Sequence, residues 1–282
     1  MSDRGGAIRI SGVREIAERY RTWFVDAYGV LHDGSAAFTG VVEALLLARR
    51  TGVTIVIVTN SGQRIDAVAA RLAGAGIAPG CYHHIMSSGE LSWRHIEQLD
   101  VLSRLFLLYP SGGPLWLNHL PHPIMDDLAE ADLMVAADMP HRTEAAARAG
   151  DLLAMLETAA ALRLPLLVPD SDVTYPHNGV IRLGPGWIAR RYAELGGETI
   201  EFGKPHAPIF AAACHLTRTK PEEVIMIGDN LATDIAGANR LGLSSLLVLK
   251  HGVHGGLSDS VLAEAMRSHG AAPTYIAPAF TW

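Results

Sequence analysis

Short runs of β-branched and aliphatic residues alternate along the chain with longer stretches in which apolar residues recur every three or four positions. The first pattern suits a buried strand and the second an amphipathic helix, and their alternation builds βαβ units around a parallel sheet. Strands are predicted at Trp23–Asp26, Thr54–Thr59, Arg104–Leu108, Leu133–Ala137, Leu164–Val168, Val224–Gly228 and Ser245–Leu249. Helices are predicted at Val41–Thr51, Gln63–Ala75, Ala145–Leu162, Gly186–Leu195, Ala207–His215 and Thr233–Leu241.

Three of the strands run into polar residues: Trp23–Asp26 ends in a carboxylate, Thr54–Thr59 is followed by Asn60, and Val224–Gly228 by Asp229. Ligands of open parallel sheets bind beyond the carboxyl ends of the strands, so these three ends form the first candidate site. The stretch from Glu90 to Glu198 has strands and helices of its own but no such polar ends, and it contains two Pro/Gly-rich passages, Tyr109–Pro123 and Pro169–Pro185. It reads as a second α/β domain, residues 90–198, inserted into a parallel-sheet core of residues 1–89 and 199–282.

Composition narrows the class. The chain has 282 residues, 49% of them hydrophobic and 18% charged, which suits a globular protein with a sizeable core. Lysine and arginine number 23 against 29 acidic residues and are scattered, so no nucleic-acid partner is expected. No apolar stretch approaches the ~20 residues of a membrane span, and the N-terminal residues lack the apolar run of a signal peptide. Cys81 and Cys214 have neither CxxC nor Cys/His spacing, so no disulfide framework or zinc site is expected, and a cytoplasmic location fits.

Four segments carry candidate chemistry. FVDAYGVLHDG places Asp26 at a strand end before Gly29, and TIVIVTNSGQR places Thr59 and Asn60 likewise. FGKPHAP offers Lys204 ahead of a helix. EVIMIGDNLATDIAGA drives a strand into two carboxylates, Asp229 and Asp234, on a glycine-bounded turn. Taken singly, Asp26 is equally a strand capped by a turn, Asn60 or Ser61 a helix N-cap and Lys204 a solvated lysine, whereas the two carboxylates of the last segment are a more specific signal.

Together, their order and spacing resemble the haloacid-dehalogenase superfamily. An insertion between the Thr59 and Lys204 motifs resembles its class with large α/β caps (subfamily IIA), which includes sugar- and nucleotide-phosphate phosphatases related to the N-acetylglucosamine operon phosphatase. SSGE at Ser87–Glu90 and YAELGG ahead of Lys204 are similar to that branch as well. The resemblance implies a Rossmann-like core with a cap, and a magnesium-dependent phosphatase acting on a small phosphorylated metabolite. Asp26 would be the nucleophile that forms an aspartyl intermediate, splitting one hard displacement into two easier ones. Mg2+ would be held by Asp26, the backbone carbonyl of Tyr28 and Asp229, with Asp234 and Asn230 orienting those ligands. Thr59 would offer its hydroxyl and Asn60 a backbone N–H to phosphoryl oxygens, while Lys204 would balance charge. Asp170 and His177, with Asp172, Tyr175 and Asn178, are the cap residues expected to meet the substrate. The resemblance also admits a homodimer, for which the sequence shows no decisive apolar patch.

At one position the chain departs from the family. Phosphatases of this superfamily usually carry an aspartate two residues after the nucleophile, as general acid to the leaving group; here that residue is Tyr28. Three readings follow. His32 or Asp33 takes over the proton transfer, or the substrate has a leaving group that needs none, or the chain is similar to 2-haloacid dehalogenases, which carry tyrosine there. The large cap and the GDNLATD segment favour phosphoryl transfer over dehalogenation. A catalytically feeble protein that binds a phosphorylated metabolite is a further alternative. Domain closure would need hinges, expected near Ser88–Glu90 and Thr199–Gly203. The histidine pairs His83–His84, His119 with His122, and His251 with His254 lack a third ligand at metal spacing.

Overall fold

A computed structural model describes residues 6–140, 143, 151–177 and 180–282, with the side chains of 176–177 excepted. The described chain forms two compact units. One comprises the described residues within 1–59, 66–86 and 204–282; the other comprises those within 60–65 and 87–203.

The first unit is built on a seven-stranded sheet. Its strands are β1 (Ile8–Arg9), β2 (Thr22–Val25), β3 (Thr54–Thr59), β4 (His84–Ser87), β11 (Val224–Gly228), β12 (Ser244–Val248) and β13 (Tyr275–Ala277), in the order β1-β13-β12-β11-β2-β3-β4. From β1 through β3 every neighbouring pair is parallel. Helices cover a parallel sheet on both faces, so its central strands bury every side chain. That accounts for the unbroken apolar run Ile225–Ile227 and for the complete burial of Trp23, Phe24 and Val25. The chain leaves β2 for β3 on one side and reaches β11 and β12 on the other, so β2 stands where the strand order reverses. A crevice opens at such a point beyond the strand ends, and Asp26 lies there.

The second unit has a four-stranded parallel sheet of β5 (Leu105–Leu108), β6 (Leu133–Ala136), β7 (Leu166–Val168) and β10 (Thr199–Glu201), in the order β10-β7-β6-β5. Alternate residues feed two cores, because successive strand side chains point to opposite faces. Met134, Ala136, Leu166 and Val168 pack with Leu152, Leu156 and Ala159 of helix Leu152–Ala161 and with Trp187, Ile188 and Tyr192 of helix Gly186–Glu194. Leu133, Val135 and Leu167 pack on the other face with Trp116, Leu117 and Ile96. A separate antiparallel pair joins β8 (Thr174–His177) to β9 (Val180–Leu183).

Residues 145–150 of the helix expected at Ala145–Leu162 lie outside the described residues. The sequence pattern passes over β1, β4, β8, β9, β10 and β13 and over the helices Ser88–Glu97 and Asp259–His269. Ser88–Glu90, expected as a hinge, is the first turn of a helix whose N-cap, Ser87, accepts the Glu90 N–H at 3.1 Å. Thr199–Glu201, placed by the sequence boundary in the core, hydrogen-bonds alongside Leu166–Val168. Among the described residues no helix is long and apolar enough to cross a membrane.

Candidate active site

Register carries three side chains to one end of the sheet. Ile227 lies beside Val25, and Val25 beside Ile57, so Asp26, Thr59 and Asp229 leave adjacent strands within a residue or two of one another. The Asp26 N–H donates to the Ile227 carbonyl at 2.9 Å, which holds Asp26 at the last rung of the ladder.

Lys204 is buried just ahead of helix Ala207–Thr217. Its Nζ donates to Asp26 Oδ1 at 2.5 Å and to Asp234 Oδ1 at 2.7 Å. Burial works against the ammonium, but the Asp234 and Asp26 carboxylates outweigh it and hold its pKa above the ordinary lysine value. Asp234 sits in a wide π-helical turn, Leu231–Ile235, where the Asp234 and Ile235 N–H groups both donate to the Asn230 carbonyl. Its second oxygen accepts the Asn230 N–H at 3.1 Å, and the Asn230 side chain caps the turn by accepting from Ala232 N at 2.9 Å. Asp234 packs against Gly228, where a Cβ would stand 2.1 Å from its Cγ.

Asp229 is held differently. Val253 N–H donates to its Oδ2 at 2.8 Å, while Oδ1 receives no hydrogen bond from the described residues. Gly29, at φ +84°, passes so close that a Cβ would lie 2.5 Å from Asp229 Oδ2. Burial, with the charges of Asp26 and Asp234, raises the pKa of Asp229 well above the carboxylate range, and burial lifts Asp234 to about 6 against the pull of Lys204.

Oxygens of Asp26, Asp229 and Asp234 lie within 4.8 Å of one another, all three residues buried. When ionised, these carboxylates and the one ammonium sum to minus two, a charge that a buried space does not hold uncompensated. A hard divalent cation on Asp26 and Asp229 would remove that repulsion, and the residues fit one. The oxygens of Asp234 are engaged by Lys204 and Asn230. Breaking a buried pair leaves its partner's charge exposed to the low-dielectric interior. Lys204→Met is therefore expected to cost roughly 3–5 kcal/mol, read as a lowered urea midpoint; an unchanged midpoint would show the lysine to be unimportant for stability.

The turn after Tyr28 carries His32 and Asp33. The Tyr28 ring stands edge-on to His32, with centroids 5.9 Å apart. His32 is buried, its Nδ1 accepts the Gly34 N–H at 2.9 Å, and burial with nearby Arg71 lowers its pKa. Asp33 accepts from Ala36 N, Ser35 Oγ and Ser35 N, which lower its pKa to about 2, so it carries no proton near neutrality.

The remaining expected residues belong to the second unit. Asn60 Nδ2 donates to Asp172 Oδ1 at 2.9 Å, and Asp170 Oδ1 accepts the Asp172 N–H at 3.1 Å. His177 lies in β8 with its side chain outside the described residues, as is all of Asn178. Sequence reasoning missed Val253, whose backbone N–H is the contact on Asp229; the glycine-rich run from His251 to Gly256 after a strand was its faint signal.

The family model for haloacid dehalogenase-like hydrolases matches residues 23–112, and a second, HAD-hydrolase-like, matches residues 201–281. The chain belongs to the haloacid-dehalogenase-like hydrolases. These two matches contain every side chain of the buried cluster. A hydrolase of this family from Brucella suis, solved by crystallography, superposes with a TM-score of 0.80 at 26% identity over 96% of this chain and 100% of that one. Chronophin of Bos taurus is 26% identical over 263 residues, 86% of this chain and 85% of the relative. The glycerol-3-phosphate phosphatase of Gallus gallus is 28% identical over 266 residues, 84% of this chain and 81% of the relative. The fold is thus that of a haloacid-dehalogenase-like hydrolase, a Rossmann-like parallel-sheet core with an inserted α/β cap.

Proposed function

We propose that this haloacid-dehalogenase-like hydrolase is a magnesium-dependent phosphatase of a small phosphorylated metabolite, acting through an aspartyl phosphate on Asp26. The observation that carries the reading is the buried cluster of Asp26, Asp229 and Asp234 around Lys204. Likeness to a glycerol-3-phosphate phosphatase supports a phosphate ester as the substrate class.

Asp26, Asp229 and the backbone carbonyl of Tyr28 would hold the magnesium ion, which when bound supplies charge compensation for the approach of a carboxylate to a phosphoryl dianion. A carboxylate oxygen of Asp26 forms the bond to phosphorus, and the leaving oxygen departs with the electron pair of the broken P–O bond. Water then attacks phosphorus, the Asp26–phosphorus bond breaks, inorganic phosphate leaves, and the water proton passes to solvent. Lys204 keeps Asp26 oriented and takes up charge as it builds on the transferring group. Thr59, ending the strand next to Asp26, offers its hydroxyl to a phosphoryl oxygen, and the peptide N–H of Asn60 another donor. One well-placed donor of this kind contributes about 2.7–4 kcal/mol to the transition state.

Tyr28, His32 and Asp33 bear on the leaving group. With Asp33 ionised and burial keeping His32 neutral, a departing alkoxide finds no acid in these two side chains. General-acid assistance is worth about 10²–10⁴-fold. The chain is therefore expected to hydrolyse p-nitrophenyl phosphate or an acyl phosphate with magnesium at least about 100-fold faster than a simple alkyl phosphate. Steady-state assay of such a panel, with and without chelator, checks this; equal rates on alkyl and aryl esters would show that another group donates the proton.

The same turn also favours a second reading, a protein that binds a phosphorylated metabolite and turns it over feebly. Absence of turnover across the panel, with a phosphorylated metabolite still raising the melting temperature, would select it. Dehalogenation of a haloacid unaffected by chelator would replace both.

A further inference from the structure

Asn60 is the residue after Thr59, and its buried side chain is fixed from two directions within the second unit. Nδ2 donates to Asp172 Oδ1 at 2.9 Å, which settles which end of the amide faces Asp172. The other end, Oδ1, faces Gly203: a Cβ at that glycine would stand 2.7 Å from Asn60 Oδ1 and 2.7 Å from Ser171 Oγ. Asp172 is itself fixed, since its N–H donates to Asp170 Oδ1.

The backbone beyond Asn60 is fastened as firmly. The Ser61 carbonyl accepts from Gly89 N at 3.0 Å, the Gly62 carbonyl from Trp116 Nε1 at 2.9 Å, and the Gln63 carbonyl from Ser87 Oγ at 2.7 Å. No side chain fits at residue 89, where a Cβ would lie 1.9 Å from the Gly62 oxygen. Three consecutive carbonyls are thus engaged, and Asn60 directly follows Thr59, the last residue of β3, in the chain.

We propose that Asp172 is a positioning residue: it acts through Asn60, holding the Thr59–Asn60 peptide in the pose that grips the transferring phosphoryl group, and does not itself touch substrate. The assignment differs from the sequence expectation, which made Asp172 a substrate contact in the cap. It rests on the phosphatase reading, because the phosphoryl group is what the peptide would grip. A carboxylate already committed to an amide donor and to fixing its own loop is suited to holding geometry, and a displacement of about 1 Å at such a contact costs up to ~100-fold in rate.

The two roles separate by what each would discriminate. A grip on phosphorus is common to every substrate and to orthophosphate, whereas a cap contact senses the leaving group. In the full-length chain, Asp172→Ala is expected to lower kcat/KM by the same factor, roughly 10–100-fold, on p-nitrophenyl phosphate and on glycerol phosphate. It should also weaken competitive inhibition by inorganic phosphate. Gly203→Ala, which pushes on Asn60 from the opposite side, should give the same uniform pattern. Asp172→Asn, which keeps an acceptor oxygen, should return to within a few-fold of wild type, and adding Asp172→Ala to Asn60→Ala should cause no further loss. A loss confined to one substrate with phosphate inhibition unchanged would overturn the proposal in favour of direct contact. Additive losses in the Asn60/Asp172 cycle would overturn it too, and so would an Asp172→Ala protein with wild-type kinetics. If Asp172→Ala fails to fold, Gly203→Ala and Asp172→Asn decide by the same criteria. Wild-type protein that turns over no phosphate ester sinks the phosphatase reading and this role with it; wild-type activity with the wrong variant pattern sinks this role alone.

Discussion

Asp26→Asn is expected to abolish turnover of p-nitrophenyl phosphate, lowering kcat on the order of 10⁴-fold or more while the protein stays folded. The substitution is nearly isosteric and leaves an oxygen that accepts from Lys204 Nζ, the contact now made at 2.5 Å. Chemically the change is complete, because an amide oxygen does not form the acyl-phosphate bond that divides the reaction into two steps. It also removes one negative charge from a buried group whose three carboxylates outnumber its ammonium, so stability should hold or rise. Loss of activity without loss of the unfolding midpoint separates a nucleophile from a structural carboxylate. Residual turnover within tenfold of wild type would mean that Asp26 does not attack.

The second large effect concerns the cation. Magnesium is expected to raise the unfolding midpoint, because it binds the native cluster and finds no such cluster in the unfolded chain. At a hundred times its dissociation constant the stabilisation is about 2.7 kcal/mol. The same ion should be required for turnover, with a chelator removing activity and added magnesium restoring it. Asp229 is the residue whose replacement separates these effects from general salt. Its Oδ1 receives no hydrogen bond from the described residues, and repulsion from Asp26 and Asp234 adds to burial in disfavouring its charge. Asp229→Asn should therefore fold, lose the magnesium-dependent shift measured by calorimetry and lose activity together. A shift that persists in Asp229→Asn would place the ion elsewhere.

The central strands other than β13 were legible in the sequence, and the edge strands β1, β4 and β10 were not, for a physical reason. Thr54–Thr59 and Val224–Gly228 are buried on both faces, so their apolar runs are unbroken, and they were read to the residue. β1, β4 and β10 lie at sheet edges, short and partly exposed, and carry too few apolar positions to stand out. Helix Ser88–Glu97 was masked because polar residues open it: Ser88 and Glu90 are buried and look like a loop in one dimension. Glu90 is buried against Arg64 and Arg94, with the Arg64 guanidinium also lying over the Trp93 ring at 3.3 Å. Such long-range compensation of a charge leaves no local pattern.

The site was legible to a similar depth. Asp26 and Asp229 end or follow a recognisable strand, Lys204 precedes a helix and Asp234 opens one, and the structure brings all four together. What sequence reasoning did not find is the Val253 N–H on Asp229, and it read Asp172 as a substrate contact without its bond to Asn60. A backbone donor has no residue type to betray it, and an aspartate that pairs with an amide looks like any polar cap residue.

Acid quenching of wild-type protein during turnover of p-nitrophenyl phosphate with magnesium, followed by mass analysis of its peptides, tests the covalent step most directly. The account predicts a phosphoryl adduct on the peptide that contains Asp26, absent from Asp26→Asn and absent when magnesium is withheld. Steady turnover with no adduct on that peptide, or an adduct on another residue, would contradict it.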